Sequence, residues 1–112
     1  MEKTVSNSDL NNPENQKLVI LATNTLARSG AKSAAALRDT TGRTYVAINV
    51  STSTLNLDSL EAVLTVALAS GISGIEAVVA TGEKPVDTKV ILEFAPSAAL
   101  FYSDASGEVV AL

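Results

Sequence analysis

The chain has 112 residues, 46% of them hydrophobic but only 4% aromatic, and a net charge of −4. That length makes one compact domain with a core of Ala, Val, Leu and Ile. There is no cysteine and no histidine, which excludes disulfides, thiolate chemistry, zinc knuckles and the commonest general base. The basic residues are scattered singly, unlike a nucleic-acid surface, and no apolar stretch of about 20 residues is present to span a membrane.

Met1 to Asn11 is polar and without period and reads as a flexible N-terminal tail. It lacks the apolar core of a signal peptide, so the expected localisation is cytoplasmic, and a single domain is expected over residues 12–112. Asn12-Pro13-Glu14 is a helix start, with Asn at the cap, Pro at the first position and an acid in the first turn. The helix is expected to run to about Arg28, with Leu18, Leu21, Ala22 and Leu26 on one face and Gly30 as its stop. Lys32 to Asp39 reads as a strand of small residues, Thr41-Gly42 as a tight turn, and Arg43 to Val50 as the second strand of a hairpin. Ser51 to Leu57 is rich in Ser and Thr and reads either as a linker or as a ligand-facing loop.

The chain is organised around Asp58 to Gly71. At helical period, Leu60, Val63, Leu64, Ala67, Leu68 and Gly71 form one apolar stripe, while Ala62, Val66 and Ala69 make the other side small or apolar too. Such a helix is buried on most sides, by its own fold or by a neighbouring subunit. Asp58 is expected as a buried acid at its start, forming a capping box with Glu61. Next come a buried strand over Ile75 to Ala80, a loop over Thr81 to Pro85, and a short helix capped by Asp87 or Thr88 and stopped by Pro96. A strand over Ala98 to Ser103, a turn at Asp104 to Gly107 and an edge strand over Glu108 to Leu112 complete the domain. This order predicts an α/β fold of three α-β-α layers around a mixed sheet, with right-handed crossovers.

Several of these strings, in order, resemble the cytidine deaminase family, including its blasticidin-S deaminase-like members. Ser33-Ala-Ala-Ala-Leu37 is similar to the family's small-residue first strand, and Gly42-Arg-Thr-Tyr45 with Ile48-Asn49-Val50 to its hairpin. Ser59-Leu60-Glu61 lies where the family has C-A-E or H-A-E, and Pro85-Val86 with Val90-Ile-Leu-Glu-Phe-Ala-Pro96 is similar to its P-C-x-x-C motif and the residues after it. The resemblance spans about Asn12 to Val110. It implies the cytidine-deaminase-like fold, a nucleoside cleft and an assembly of two or four subunits. It also implies zinc held by one Cys or His and two Cys, and here the sequence departs from it. Ser59 stands at the first ligand position, a poor zinc ligand beside thiolate or imidazole. The second motif is shortened between Val86 and Val90 and its cysteines are gone. Without metal, water does not become hydroxide at neutral pH, so Glu61, which matches the family's proton-shuttling glutamate, has no water to serve. Asn49 matches the asparagine that contacts the nucleoside sugar, while the glutamate usually found two positions later is Ser51. The stacking aromatic ahead of the first strand has no counterpart at Ala31 or Lys32.

Each of these residues also has a local explanation. Glu61 closes a capping box or binds a ligand; Asn49 binds a ligand or satisfies the backbone of the following Ser/Thr loop. Asp58, Glu61 and Asp87 suit Mg²⁺ or Mn²⁺ if they converge, but Asp58 and Asp87 are explained by capping. Nothing in Ser51 to Thr54 activates a hydroxyl as a nucleophile, and Thr81-Gly82-Glu83-Lys84 lacks the glycine-rich run of a phosphate loop. The expectation is a protein without a catalytic set, a metal site or a cofactor. It has vestigial family positions at Ser59 and Glu61 and possible ligand contacts at Asn49, Ser51 and Glu61. It is expected to act as a homodimeric or homotetrameric scaffold or as partner of an active paralogue. The alternatives are a binder of a nucleoside-like small molecule and an enzyme of altered chemistry. No nucleic-acid or membrane partner is expected.

Overall fold

The structure is a computed structural model that describes residues 12–112; the tail expected over Met1 to Asn11 lies outside the described residues. Helix α1, Pro13–Ser29, starts and stops as its ends dictate. Asn12 Oδ1 accepts from Glu14 N at 2.9 Å, and Gly30, at φ 66°, donates its N–H to Leu26 O at 3.1 Å. Strands β1 (Ser33–Asp39) and β2 (Thr44–Ile48) follow, then two short strands, β3 (Val50–Ser51) and β4 (Asn56–Leu57). Helix α2 is Ser59–Ala69, followed by β5 (Ile75–Gly82), helix α3 (Lys89–Phe94), β6 (Ala99–Ser103) and β7 (Val109–Ala111).

Five strands form one mixed sheet in the order β2-β1-β5-β6-β7. β1 is antiparallel to both of its neighbours, β5 and β6 are parallel, and β7 returns antiparallel along β6. Strands β2, β5 and β6 therefore point the same way, and α2 and α3 are the crossovers between them. Leu60, Val63, Leu64 and Ala67 of α2 and Ile91 of α3 pack with Ala35, Leu37, Val78, Ala80 and Leu100 on one face of the sheet. Leu18 and Ala22 of α1 pack with Ala36, Ala77, Val79 and Phe101 on the other. This is the three-layer α-β-α arrangement expected. β1 is buried along its whole length, because it is central in the sheet and covered on both faces; its alanines leave room for helices on either side.

Four expectations need correction. Residues 50–57 are not a plain loop: Val50 pairs with Leu57 and Ser51 with Asn56, so the second strand of the hairpin ends at Ile48 and the chain breaks away at Asn49. β5 runs two residues past Ala80, to Gly82. On α2, Leu68 is 44% exposed and so is Val66; the sheet covers only the stripe carrying Leu60, Val63, Leu64 and Ala67, and Leu68 lies just off it. Asp58 is exposed rather than buried, because the capping position precedes the part of α2 that the sheet covers.

The two hairpin turns use one device. Asp39 Oδ1 accepts from Thr41 N at 2.9 Å, Thr41 Oγ1 at 2.7 Å and Arg43 N at 2.9 Å. Asp104 Oδ1 accepts from Ser106 N at 2.9 Å, Ser106 Oγ at 2.6 Å and Glu108 N at 3.0 Å. Gly42 and Gly107 follow at φ 90° and 89°, the left-handed position that such a hairpin loop reserves for glycine. The Thr41 hydroxyl above all, then the backbone N–H groups of Arg43 and Thr41, holds the Asp39 carboxyl below its ordinary value of 3.8, against burial, which raises it. The Ser106 hydroxyl does the same for Asp104.

Candidate functional site

A cavity of about 560 Å³ opens where the carboxyl ends of β2 and β5 meet the start of β1 and the start of α2. Crevices at the carboxyl ends of parallel strands are where α/β sheets bind ligands. One wall is the first turn of α2. Asp58 Oδ1 accepts from Glu61 N at 2.8 Å, and Glu61 Oε1 accepts from Asp58 N at 2.9 Å, a complete capping box. Ser59, the first helical residue, is 2% exposed and lines the cavity.

The floor is held by Asn49. Its Oδ1 accepts from Lys32 N and from Ser33 N, each at 3.1 Å, and its own N–H donates to Ser33 O at 3.2 Å. The backbone it satisfies is thus the start of β1, not the Ser/Thr loop that follows it. Ser51, Asn56 and Leu57 of the small β3–β4 ribbon close the next side.

The far wall is the segment after β5. Gly82 pairs with Ser33 at the end of the β1–β5 ladder, and Glu83 N donates to Lys32 O at 2.9 Å. A Cβ on Gly82 would lie 2.4 Å from Lys32 O and 2.9 Å from Ser33 Cα, and its φ is +86°; only glycine fits. The Tyr102 hydroxyl donates to Gly82 O, and the Lys84 ammonium stands 5.6 Å from the centroid of the Tyr102 ring, a cation–π distance. Glu83 to Asp87 then pass over the cavity. Asp87 Oδ1 accepts from Lys89 N at 2.8 Å, while Thr88 makes no side-chain cap. Helix α3 is only six residues long, as the shortened motif implies.

The cavity brings together every site residue named from the sequence: Asn49, Ser51, Ser59 and Glu61. It adds Lys32, which the sequence reading placed at the start of the first strand, and Glu83 and Lys84, which it left as ordinary loop residues. The available signal was Gly82, a glycine directly after a buried β run, where the chain has to bend back toward β1. Asp58, Glu61 and Asp87 all line the cavity, yet among the described residues no group of three or more His, Cys, Asp or Glu is placed to hold a metal ion.

Residues 11–107 match the family described as Cytidine deaminase-like. The chain belongs to the cytidine deaminase-like family. Among solved structures it is similar to the cytidine deaminase from Mycobacterium leprae, with a TM-score of 0.66 and 19% identity over 86% of this chain and 91% of that one. At that identity the likeness speaks for the fold. No curated protein matches the chain. The zinc that the sequence resemblance implies does not fit the residues present. Ser59 stands where the first ligand would be, Val86 to Val90 carry no donor but Asp87, which caps α3, and the whole sequence offers neither thiolate nor imidazole. Nor is any helix of the described residues long and apolar enough to cross a membrane.

Proposed function

We propose that this member of the cytidine deaminase-like family does not deaminate and instead uses its cleft to bind a nucleoside-sized polar molecule. The observation that carries this reading is the cleft itself. Its volume of about 560 Å³ lies within the range of roughly 300–1,000 Å³ typical of small-molecule sites, and polar side chains from four separate segments line it. A cleft without a function has no reason to stay open, since filling it with apolar side chains would stabilise the domain. Hydrolytic deamination needs an activated water, and the residues here offer no zinc ligands to supply one; Glu61 is committed by one oxygen to the α2 cap. The test has two parts. Purified protein, dialysed and then supplied with zinc, is assayed for metal content and for turnover of cytidine; one zinc per chain with turnover would overturn the reading. Thermal unfolding is then followed with added nucleosides, because a ligand that binds only the folded state raises the midpoint.

A second reading, a self-assembling scaffold or a partner of an active paralogue, has its own observation. Val66 and Leu68 on α2 and Leu92 and Phe94 on α3 are exposed, and the two helices share one side of the sheet. Sedimentation velocity separates this from a monomer, and an assembly of two-fold symmetry is expected.

A further inference from the structure

We infer that Tyr102, which does not line the cavity, is the positioning residue of its far wall. It fixes the peptide from which Glu83 to Asp87 depart, and with it the shape that a ligand meets. The inference rests on the reading of the cleft as a ligand site and names a residue outside the cleft that tunes it. The wall begins at the peptide joining Gly82 to Glu83. A trans peptide is planar, with its C=O and N–H pointing opposite ways, and here both ends are engaged. Glu83 N donates to Lys32 O at 2.9 Å on the β1 side, and Gly82 O accepts from the Tyr102 hydroxyl on the β6 side. The pairing of β5 with β6 stops at Thr81 and Ser103, because Asp104 begins the turn into β7. A side chain therefore supplies Gly82 O with the donor that a longer β6 would have offered.

The glycine makes this bond necessary. At φ +86°, with Lys32 O 2.4 Å from the place of a Cβ, position 82 admits no other residue. Yet glycine is the residue whose backbone is least restricted. The position demands the residue that holds its own shape least, and the Tyr102 hydroxyl supplies the restraint. The same side chain restrains the wall a second time, since the Lys84 ammonium lies 5.6 Å from the centroid of its ring. Tyr102 is itself seated, packed against the apolar cluster between the sheet and α2, so its hydroxyl meets Gly82 O from a fixed point.

The experiment uses Tyr102→Phe in the full chain, which keeps the ring, its packing and the place for Lys84 and removes only the hydroxyl. Amide hydrogen exchange at Glu83, followed by NMR, should speed up about fivefold, the worth of one hydrogen bond, because the peptide is then held at one end only. Calorimetry with cytidine should show an affinity about fivefold lower than that of the wild type, since the wall must be ordered on binding. Urea unfolding, run alongside, separates positioning from stability. A lower unfolding midpoint with unchanged exchange at Glu83 gives Tyr102 a merely structural role and overturns the inference. Faster exchange with unchanged affinity also overturns it, and leaves the ligand-site reading standing. Failure of the wild type to bind cytidine counts against that reading instead, and the exchange at Glu83 then decides the inference alone.

Discussion

Asn49 separates what holds the cleft from what the cleft holds. Its Oδ1 takes two backbone donors, Lys32 N and Ser33 N, both at 3.1 Å. Replacing it with alanine removes both acceptors, and the consequences differ between the two donors. Lys32 is exposed, so water replaces the lost bond at a cost of about 0.5–1 kcal/mol, whereas Ser33 is buried and its unsatisfied N–H costs about 1–3 kcal/mol. Asn49→Ala should therefore lose about 2–3 kcal/mol, a large share of the roughly 5–15 kcal/mol that a domain has. With a urea m-value of about 1.5 kcal/mol/M, the unfolding midpoint falls by about 1–2 M. Asn49→Asp keeps an oxygen at the same place, so its stability should stay within about 1 kcal/mol of wild type. It loses the amide donor, so its affinity for a nucleoside-like ligand should drop. Urea unfolding followed by far-ultraviolet circular dichroism measures the first effect, and calorimetry the second. An alanine variant that unfolds within about 0.5 kcal/mol of wild type would refute the reasoning, because the β1 start would then be held by something other than Asn49.

Three more outcomes follow from the same contacts. Gly82→Ala combines a left-handed φ of +86° with a Cβ 2.4 Å from Lys32 O, so it should cost at least about 2 kcal/mol and reshape the cleft; a variant that melts with the wild type would contradict this. The Asp39 and Asp104 carboxyls are held below 3.8 in the folded state, so their stabilisation is present above that value and is lost as pH falls through the lowered values. Melting midpoints measured from about pH 6 down to about pH 2 should show this, and Asp39→Asn should flatten the acid limb; an equally steep limb in the variant would rule out Asp39 as a source. Val66 is 44% exposed, so if α2 forms a subunit contact, Val66→Glu should convert the assembly to monomers with little loss of monomer stability, as sedimentation would report.

The elements were legible in the sequence because their ends are written in short-range chemistry. Asn12-Pro13 and Gly30 bracket α1, and the Asp58–Glu61 box starts α2. The layers were legible from the apolar period of α2 and the unbroken apolar runs of β1 and β5. What escaped was set by contacts distant along the chain. Asn49 bonds to residues 16 and 17 positions earlier, so its local reading, as a cap for the next loop, found the right kind of bond and the wrong partner. The two Asp-x-Ser/Thr-Gly turns, DTTG and DASG, are too short to read as a repeat, yet they fold alike because one carboxylate oxygen can take three donors. The walls beyond Gly82 were invisible because exposed Glu83 and Lys84 look like any loop until the Cβ-free residue before them is seen against Lys32 O.

The walls of the cleft are each held by groups of the chain itself. The start of α2 is closed by its own capping box, the start of β1 by Asn49, and the end of β5 by Tyr102 on Gly82 O and by Glu83 N on Lys32 O. None of these bonds reaches into the cavity to fill it. Asn49, Asp58, Ser59 and Glu61 all line a volume of about 560 Å³, large enough for a nucleoside-sized molecule. Asp58, Glu83 and Asp87 are solvent-exposed, so the walls are fixed without burying unpaired charge, which is the arrangement the proposed ligand site calls for.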